Sequence, residues 1–158
     1  MVCRRGGRAY NPSSPPPTHE EEKRARTHIR RLREAAARAR LLPARHPHAG
    51  RFPQITQVWV DTDGEHVLVN TAQHRQKTKN VRRDPRVAVN VVDPNNAWRL
   101  GEVRGRVVDV TTEGADRLID ELAKKYLDAD TYPFRDPAEV RVTLKILPER
   151  INEVGLEE

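Results

Sequence analysis

After residue 54 the chain is a train of short apolar alternations, closed by turn residues and interrupted by a helical pattern only twice. Ile55-Thr-Gln-Val-Trp-Val-Asp61 places Thr56, Val58 and Val60 on one side, the period-2 signature of a half-buried strand. Asp61-Thr-Asp-Gly64 is a hairpin signal, and Val67 and Val69 continue as the return strand. Val87, Val89 and Val91 mark a third strand, ended by Asp93-Pro-Asn-Asn96. Trp98 to Val110 reads as a long fourth, with Val103, Gly105 and Val107 facing one way and Glu102, Arg104 and Arg106 the other. Gly105 in mid-strand predicts a bulge or the close approach of another backbone. Val140, Val142, Leu144 and Ile146 alternate with Arg141, Thr143 and Lys145 in a last strand whose outer face is wet or at an interface. Strands and helices do not alternate regularly, which argues against a doubly wound parallel sheet. The pattern predicts a mainly β, α+β fold: a small antiparallel barrel with two helices at its rim.

The second helical stretch is the clearer. In Thr112–Tyr126 the residues Ala115, Leu118, Ile119, Leu122 and Tyr126 make one apolar face, with Thr111 or Thr112 as its expected cap. The first is short and strongly basic. Between Asn70 and Pro85 stand Arg75, Lys77, Lys79, Arg82 and Arg83, against the single acid Asp84. Backbone amides at a helix start with Lys and Arg beside them can hold a phosphate. The net charge of +6 suits an anionic partner. Nucleic acid is the competing partner, through the Arg-rich segment 24–51 and the basic helix. However, aromatic residues are 4% of the chain and none falls in 19–51, so base stacking has nothing to work with there. The expectation is no nucleic acid.

The rest of the chain divides at two composition changes. Residues 1–18, rich in Gly, Pro and Ser, read as a disordered tail. Residues 19–52 read as a helix to about Leu42, with Ile29, Leu32 and Ala36 at helical spacing, then a proline-broken loop. Residues 53–154 read as the split β-barrel domain. Cys3 alone supports neither a disulfide framework nor a metal site, and His46 and His48 are a weak ligand pair, so no metal is expected. No apolar run approaches the roughly 20 residues of a membrane span. Arg4 and Arg5 lead into no apolar signal core, and the cytoplasm is the expected compartment.

Several pieces then resemble, in order and spacing, one known family. They are Pro53-Gln-Ile-Thr-Gln-Val-Trp-Val-Asp61, Val69-Asn-Thr-Ala72, Arg75-Gln-Lys77 with Asn80, and Arg83-Asp-Pro-Arg-Val87. Val92-Asp-Pro94, Glu102-Val-Arg-Gly-Arg-Val107, Lys125-Tyr126 and Ile146-Leu-Pro-Glu-Arg150 follow. Together they resemble the split β-barrels related to pyridoxamine phosphate oxidase, the FMN-binding split barrel-like fold. Above all they resemble its actinobacterial-type oxidoreductases that use the deazaflavin coenzyme F420. The resemblance covers Pro53 to Ile151 and implies a homodimer with the ring of the coenzyme in a groove between subunits. By position it implies that Arg75 and Lys77 bind phosphate, with Thr71 and Asn80 fixing that loop or touching the phosphate. Gln57, Val58 and Trp59 would line the ring, and Trp98 and Arg99 would reach across the dimer. The implied activity is hydride transfer between F420 and a small organic substrate. The alternatives are an FMN enzyme of the same fold and an F420-binding protein without turnover. A hydride carrier performs its own redox chemistry, so no catalytic triad or carboxylate pair is required, and no catalytic residue is singled out.

The chain departs from the family before residue 53. Leu41-Leu-Pro-Ala-Arg-His-Pro-His-Ala-Gly-Arg-Phe-Pro53 lacks the expected apolar alternation, with Pro43 and Pro47 inside it. The sequence alone therefore predicts a broken first barrel strand, an exposed sheet edge and doubtful activity. The abrupt change between Gly50 and Pro53 also reads as a shifted frame or altered gene start for residues 1 to about 50.

Overall fold

In this computed structural model the described residues are 54–93 and 95–155, the backbone of 38–43, and positions 18–20, 23, 27 and 28. The tail 1–17 and the pair His46 and His48 lie outside them. Seven strands run in the order β1 Arg38–Pro43, β2 Thr56–Val58, β3 Val60–Thr62, β4 Val67–Ala72, β5 Arg86–Val92, β6 Leu100–Thr111 and β7 Arg141–Val154. Helix α1, Gln76–Arg83, lies between β4 and β5, and α2, Ala115–Leu127, between β6 and β7. Positions 19, 20, 23, 27 and 28 are helical, and His28 Nδ1 lies 2.8 Å from Glu153 at the end of β7.

All described pairings are antiparallel, in the order β2-β1-β5-β6-β7-β4-β3. The two outer members, β2 and β3, are halves of a single run. The stretch expected as one strand breaks at Trp59. Val58 leaves on the β1 side and Val60 on the β4 side, and that turn closes the sheet into a barrel. The fold is the expected α+β split barrel.

Strand β1 corrects the reading of the N-terminal segment. Arg38-Ala-Arg-Leu-Leu-Pro43, taken from sequence as the end of a helix, is a strand paired to β2 on one side and to β5 on the other. The first barrel strand is thus present, a few residues earlier than the proline-rich stretch where it was sought, and it covers the edge of β5. Its Ala, Arg and Leu residues favour helix locally, and two waiting strand edges override that preference. Pro43, which has no N–H to donate, falls on its last position.

The valines facing inward in β2, β3, β4, β5 and β6 meet Leu144 and Ile146 of β7 in the barrel interior. Gly105 sits at a register shift of β6 against β7, where a Cβ would lie 2.2 Å from the carbonyl oxygen of Leu147. Helix α2 lays Leu118, Ile119 and Leu122, with its own Tyr126, over the outer face of the sheet, against Trp59, Leu68 and Tyr132. Consequently Asn70 and Thr143, on the outer face of β4 and β7, are buried too. The expected threonine cap on α2 is not used. Gly114, at φ 66°, occupies the cap position, and the Thr111 hydroxyl accepts from the Glu113 N–H.

Candidate functional site

The turn from β4 into α1 is tied at three points. The Arg75 N–H donates to the Ala72 carbonyl (3.1 Å), the Thr78 hydroxyl to the same carbonyl (2.9 Å), and the Gln73 N–H to Val140 at the head of β7 (2.9 Å). Thr78 and Val81 are the buried residues of α1, so the short helix is held by its ends and one valine. Arg75 takes the N-cap position with no side-chain bond to the helix, and the first turn carries no acid. Arg82 and Arg83 near the C-terminal end complement the helix dipole, whereas Arg75 and Lys77 stand at its positive end and oppose it.

Beside this turn opens a cleft of about 170 Å³, lined by Gln57, Val58, Trp59, Asn70, Thr71, Arg75, Lys77, Ile119, Tyr132 and Arg141. It lies where the broken run at Trp59, the end of β4, the start of α1, the face of α2 and the start of β7 converge. One wall is aromatic. Trp59 stacks parallel on Tyr126 at 5.4 Å, and Tyr132 meets Trp59 edge-on at 5.8 Å. Tyr126 is anchored through its hydroxyl, which accepts from the Val60 N–H (3.2 Å) and contacts the Val60 carbonyl (3.1 Å).

The other wall is cationic. Arg141 lays its guanidinium 4.7 Å over the Tyr132 ring and reaches Glu139 at 3.2 Å. Arg75 bonds the other oxygen of Glu139 at 2.6 Å. Lys77 is half-buried, and its pKa is held below the ordinary lysine value by burial first, then by the like charges of Arg75 and Arg141. The Glu139 carboxyl is correspondingly lowered, through its bond to Arg75 above all. Asn70, only 8% exposed, donates from Nδ2 to the Ala115 carbonyl at 2.7 Å. Its Oδ1 is buried without a partner among the described groups, an acceptor in want of a donor.

Six of the nine residues singled out from sequence share this cleft: Gln57, Val58, Trp59, Thr71, Arg75 and Lys77. Asn80 does not line it. Its amide instead bonds Gln54 at 2.9 Å and accepts from Gln76 at 2.8 Å, bracing α1 against the segment before β2. Trp98 and Arg99 stand elsewhere, in the turn before β6 rather than in the strand expected to hold them. Trp98 is 82% exposed, and Arg99 ties Asp93 to the Gly155 carbonyl. Asn70, Ile119, Tyr132 and Arg141 line the cleft without having been singled out. Arg141 is the instructive one. The alternation of β7 marked it as facing outward, but only the register Ala72↔Arg141 brings it beside Arg75 and Lys77.

Among the described residues no three His, Cys, Asp or Glu side chains gather to hold a metal, and no helix is long and apolar enough to cross a membrane. A family model described as pyridoxamine 5′-phosphate oxidase matches residues 28–155. That match begins inside the segment before Gly50 that the sequence set apart. No curated protein matches the chain. Among solved structures, an F420 reductase is 29% identical, with a TM-score of 0.63 over 77% of this chain and 93% of its own. A Listeria innocua protein provisionally described as a pyridoxamine 5′-phosphate oxidase is 21% identical, with a TM-score of 0.58 over 82% and 97%. General Stress Protein 26 of Bacillus anthracis is 17% identical, with a TM-score of 0.58 over 84% and 95%.

Proposed function

This chain belongs to the pyridoxamine 5′-phosphate oxidase family, and on that footing we propose that it is an oxidoreductase passing hydride between coenzyme F420 and a small organic substrate. The observation that carries the reading is the cationic wall. Three cations, Arg75, Lys77 and Arg141, face one carboxylate, and two of them stand at the positive end of α1. Like charges crowded there raise the energy of the empty site, and an anionic ligand removes the conflict. The aromatic wall of Trp59 and Tyr132 offers a flat ring a surface, and the unpartnered Oδ1 of Asn70 offers an acceptor to a ring N–H. The residues present therefore fit a flat ring with an anionic arm. The F420 reductase among the similar structures supports the choice of the deazaflavin.

When bound, such a coenzyme supplies hydride chemistry, and the protein supplies position. Arg75, Lys77 and Arg141 hold the anionic arm. Thr71 adds a hydroxyl at the same end of β4, while Gln57, Val58, Trp59 and Ile119 bound the remaining space. A partner subunit across the groove, with Trp98 and Arg99 at the contact, completes the proposed enzyme. The large exposed surface of Trp98 supports that role.

FMN is the second reading, since the same three cations suit its phosphate equally well. The test is the absorbance spectrum of the purified protein after incubation with each coenzyme and removal of the excess. Retention of F420 but not FMN is expected, followed by oxidation of reduced F420 in the presence of substrate. Retention of FMN alone would select the second reading. F420 retention with no turnover over a range of electron-poor substrates would leave a binding protein. Sedimentation should give a mass twice the 18.1 kDa of the chain.

A further inference from the structure

Among the described residues Glu139 is the one carboxylate set among the cations of the cleft. Its Oε1 accepts from Arg75 Nη2 at 2.6 Å and lies 3.5 Å from His74 Nε2, and its Oε2 lies 3.2 Å from Arg141 Nη2. It is carried not by a strand but by the loop between α2 and β7. That loop is pinned on both sides of it. Arg135 bonds Asp116 and Asp120 of α2, and the Val140 carbonyl accepts from Gln73. Glu139 itself is not part of the cleft lining, so it holds the two guanidinium groups from beside the cleft rather than filling it. Neither arginine depends on it alone. Arg141 also rests on the Tyr132 ring, and the Arg75 backbone is fixed at the N-cap. Glu139 leaves Lys77 with no carboxylate in ion-pair range among the described residues; the charges acting on Lys77 are those of Arg75 and Arg141.

We infer that Glu139 is the specificity-determining residue of this cleft: it neutralises one of three cations, so that two positive charges remain for the anionic arm of the ligand. It is an internal competitor for the arginines, and it holds affinity for anions below what the bare cations would provide. This rests on the reading of the cleft as the seat of an anionic arm. The phosphomonoester of FMN carries about −1.5 to −2 charges at neutral pH, and on the F420 arm the single charge of a phosphodiester is joined by carboxylates, so the remaining pair compensates either. Removing the carboxylate takes away a charge of the same sign as the ligand at close range.

The test compares wild type with Glu139→Gln and Glu139→Ala, titrated with inorganic pyrophosphate, FMN and F420 at two salt concentrations, with thermal melts to establish folding. Both variants should bind pyrophosphate and the retained coenzyme roughly tenfold more tightly, with a steeper loss of affinity on adding salt. Weaker or unchanged binding in either folded variant overturns the inference, because Glu139 would then be a strut that aims the arginines. No pyrophosphate binding by any of the three proteins overturns it as well. Tighter pyrophosphate binding with neither ring compound retained supports the inference and rejects the proposed oxidoreductase. Coenzyme retained by wild type and lost by both variants does the reverse.

Discussion

Lys77 combines a long, flexible side chain with a setting that penalises its charge. Burial and two neighbouring guanidinium groups lower its pKa, so its ammonium is lost at a lower pH than that of an ordinary lysine at 10.5. The sign follows directly. Affinity for an anion is full while Lys77 is charged, well below that lowered pKa, and it falls as the pH rises through it. Coenzyme titrations between neutral and alkaline pH should show the decline, and Lys77→Arg should abolish it over the same range, because a guanidinium does not titrate there. Lys77→Ala should weaken binding by about 1–3 kcal/mol at neutral pH, the size of a lost charge-assisted hydrogen bond, with an unchanged melting temperature. Unaltered affinity would remove Lys77 from the site. At this scale the sequence was half legible. Arg75 and Lys77 stand two positions apart in a basic turn that could be read as such. Arg141, more than sixty residues away, carries no local mark of its place in the cleft.

At the scale of elements, period and position decided what could be read. Strands β4, β5 and β7 and helix α2 advertise themselves through valine alternation or an apolar helical face. Gly105 was legible for a different reason: a glycine in mid-strand has few uses besides admitting a backbone. Gly105→Ala sets a methyl 2.2 Å from the Leu147 oxygen, and β6 must move from β7 to admit it. A loss of about 2 kcal/mol or more in denaturant unfolding is expected. The anchor of the aromatic wall is a separate matter. Tyr126→Phe deletes a hydroxyl that engages both the N–H and the carbonyl of Val60, across 66 residues of sequence. It should cost about 1–2 kcal/mol in stability and loosen the Trp59 stack, seen as a shift in tryptophan fluorescence. What failed at this scale was local. The threonines before α2 look like caps, yet a glycine in the left-handed region took the position. The valine run at 55–61 looks like one strand, yet it turns at Trp59 because its halves serve opposite edges of one sheet.

For the whole molecule the decisive element is β1. It is the bridge between β2 and β5, and without it the order opens between those two strands. Deleting residues 1–50 should therefore leave two unpaired edges, and broad unfolding with aggregation is expected in place of a cooperative transition. Sharp, wild-type melting of that deletion would show that the barrel closes without β1.

By itself the amino-acid order determined the period of each segment, hence the antiparallel α+β barrel, the rim helices and the basic turn between β4 and α1. Those are properties of neighbours in sequence, set by side-chain spacing and backbone preference. The tertiary structure decided the pairings: that Ala- and Arg-rich residues 38–43 extend rather than coil, that Trp59 divides a strand, and that Arg141, Tyr132 and Asn70 face the same cleft as Lys77. Register between distant strands and the competition of whole edges for a partner are set by burial summed over the molecule, and no window of residues contains that sum.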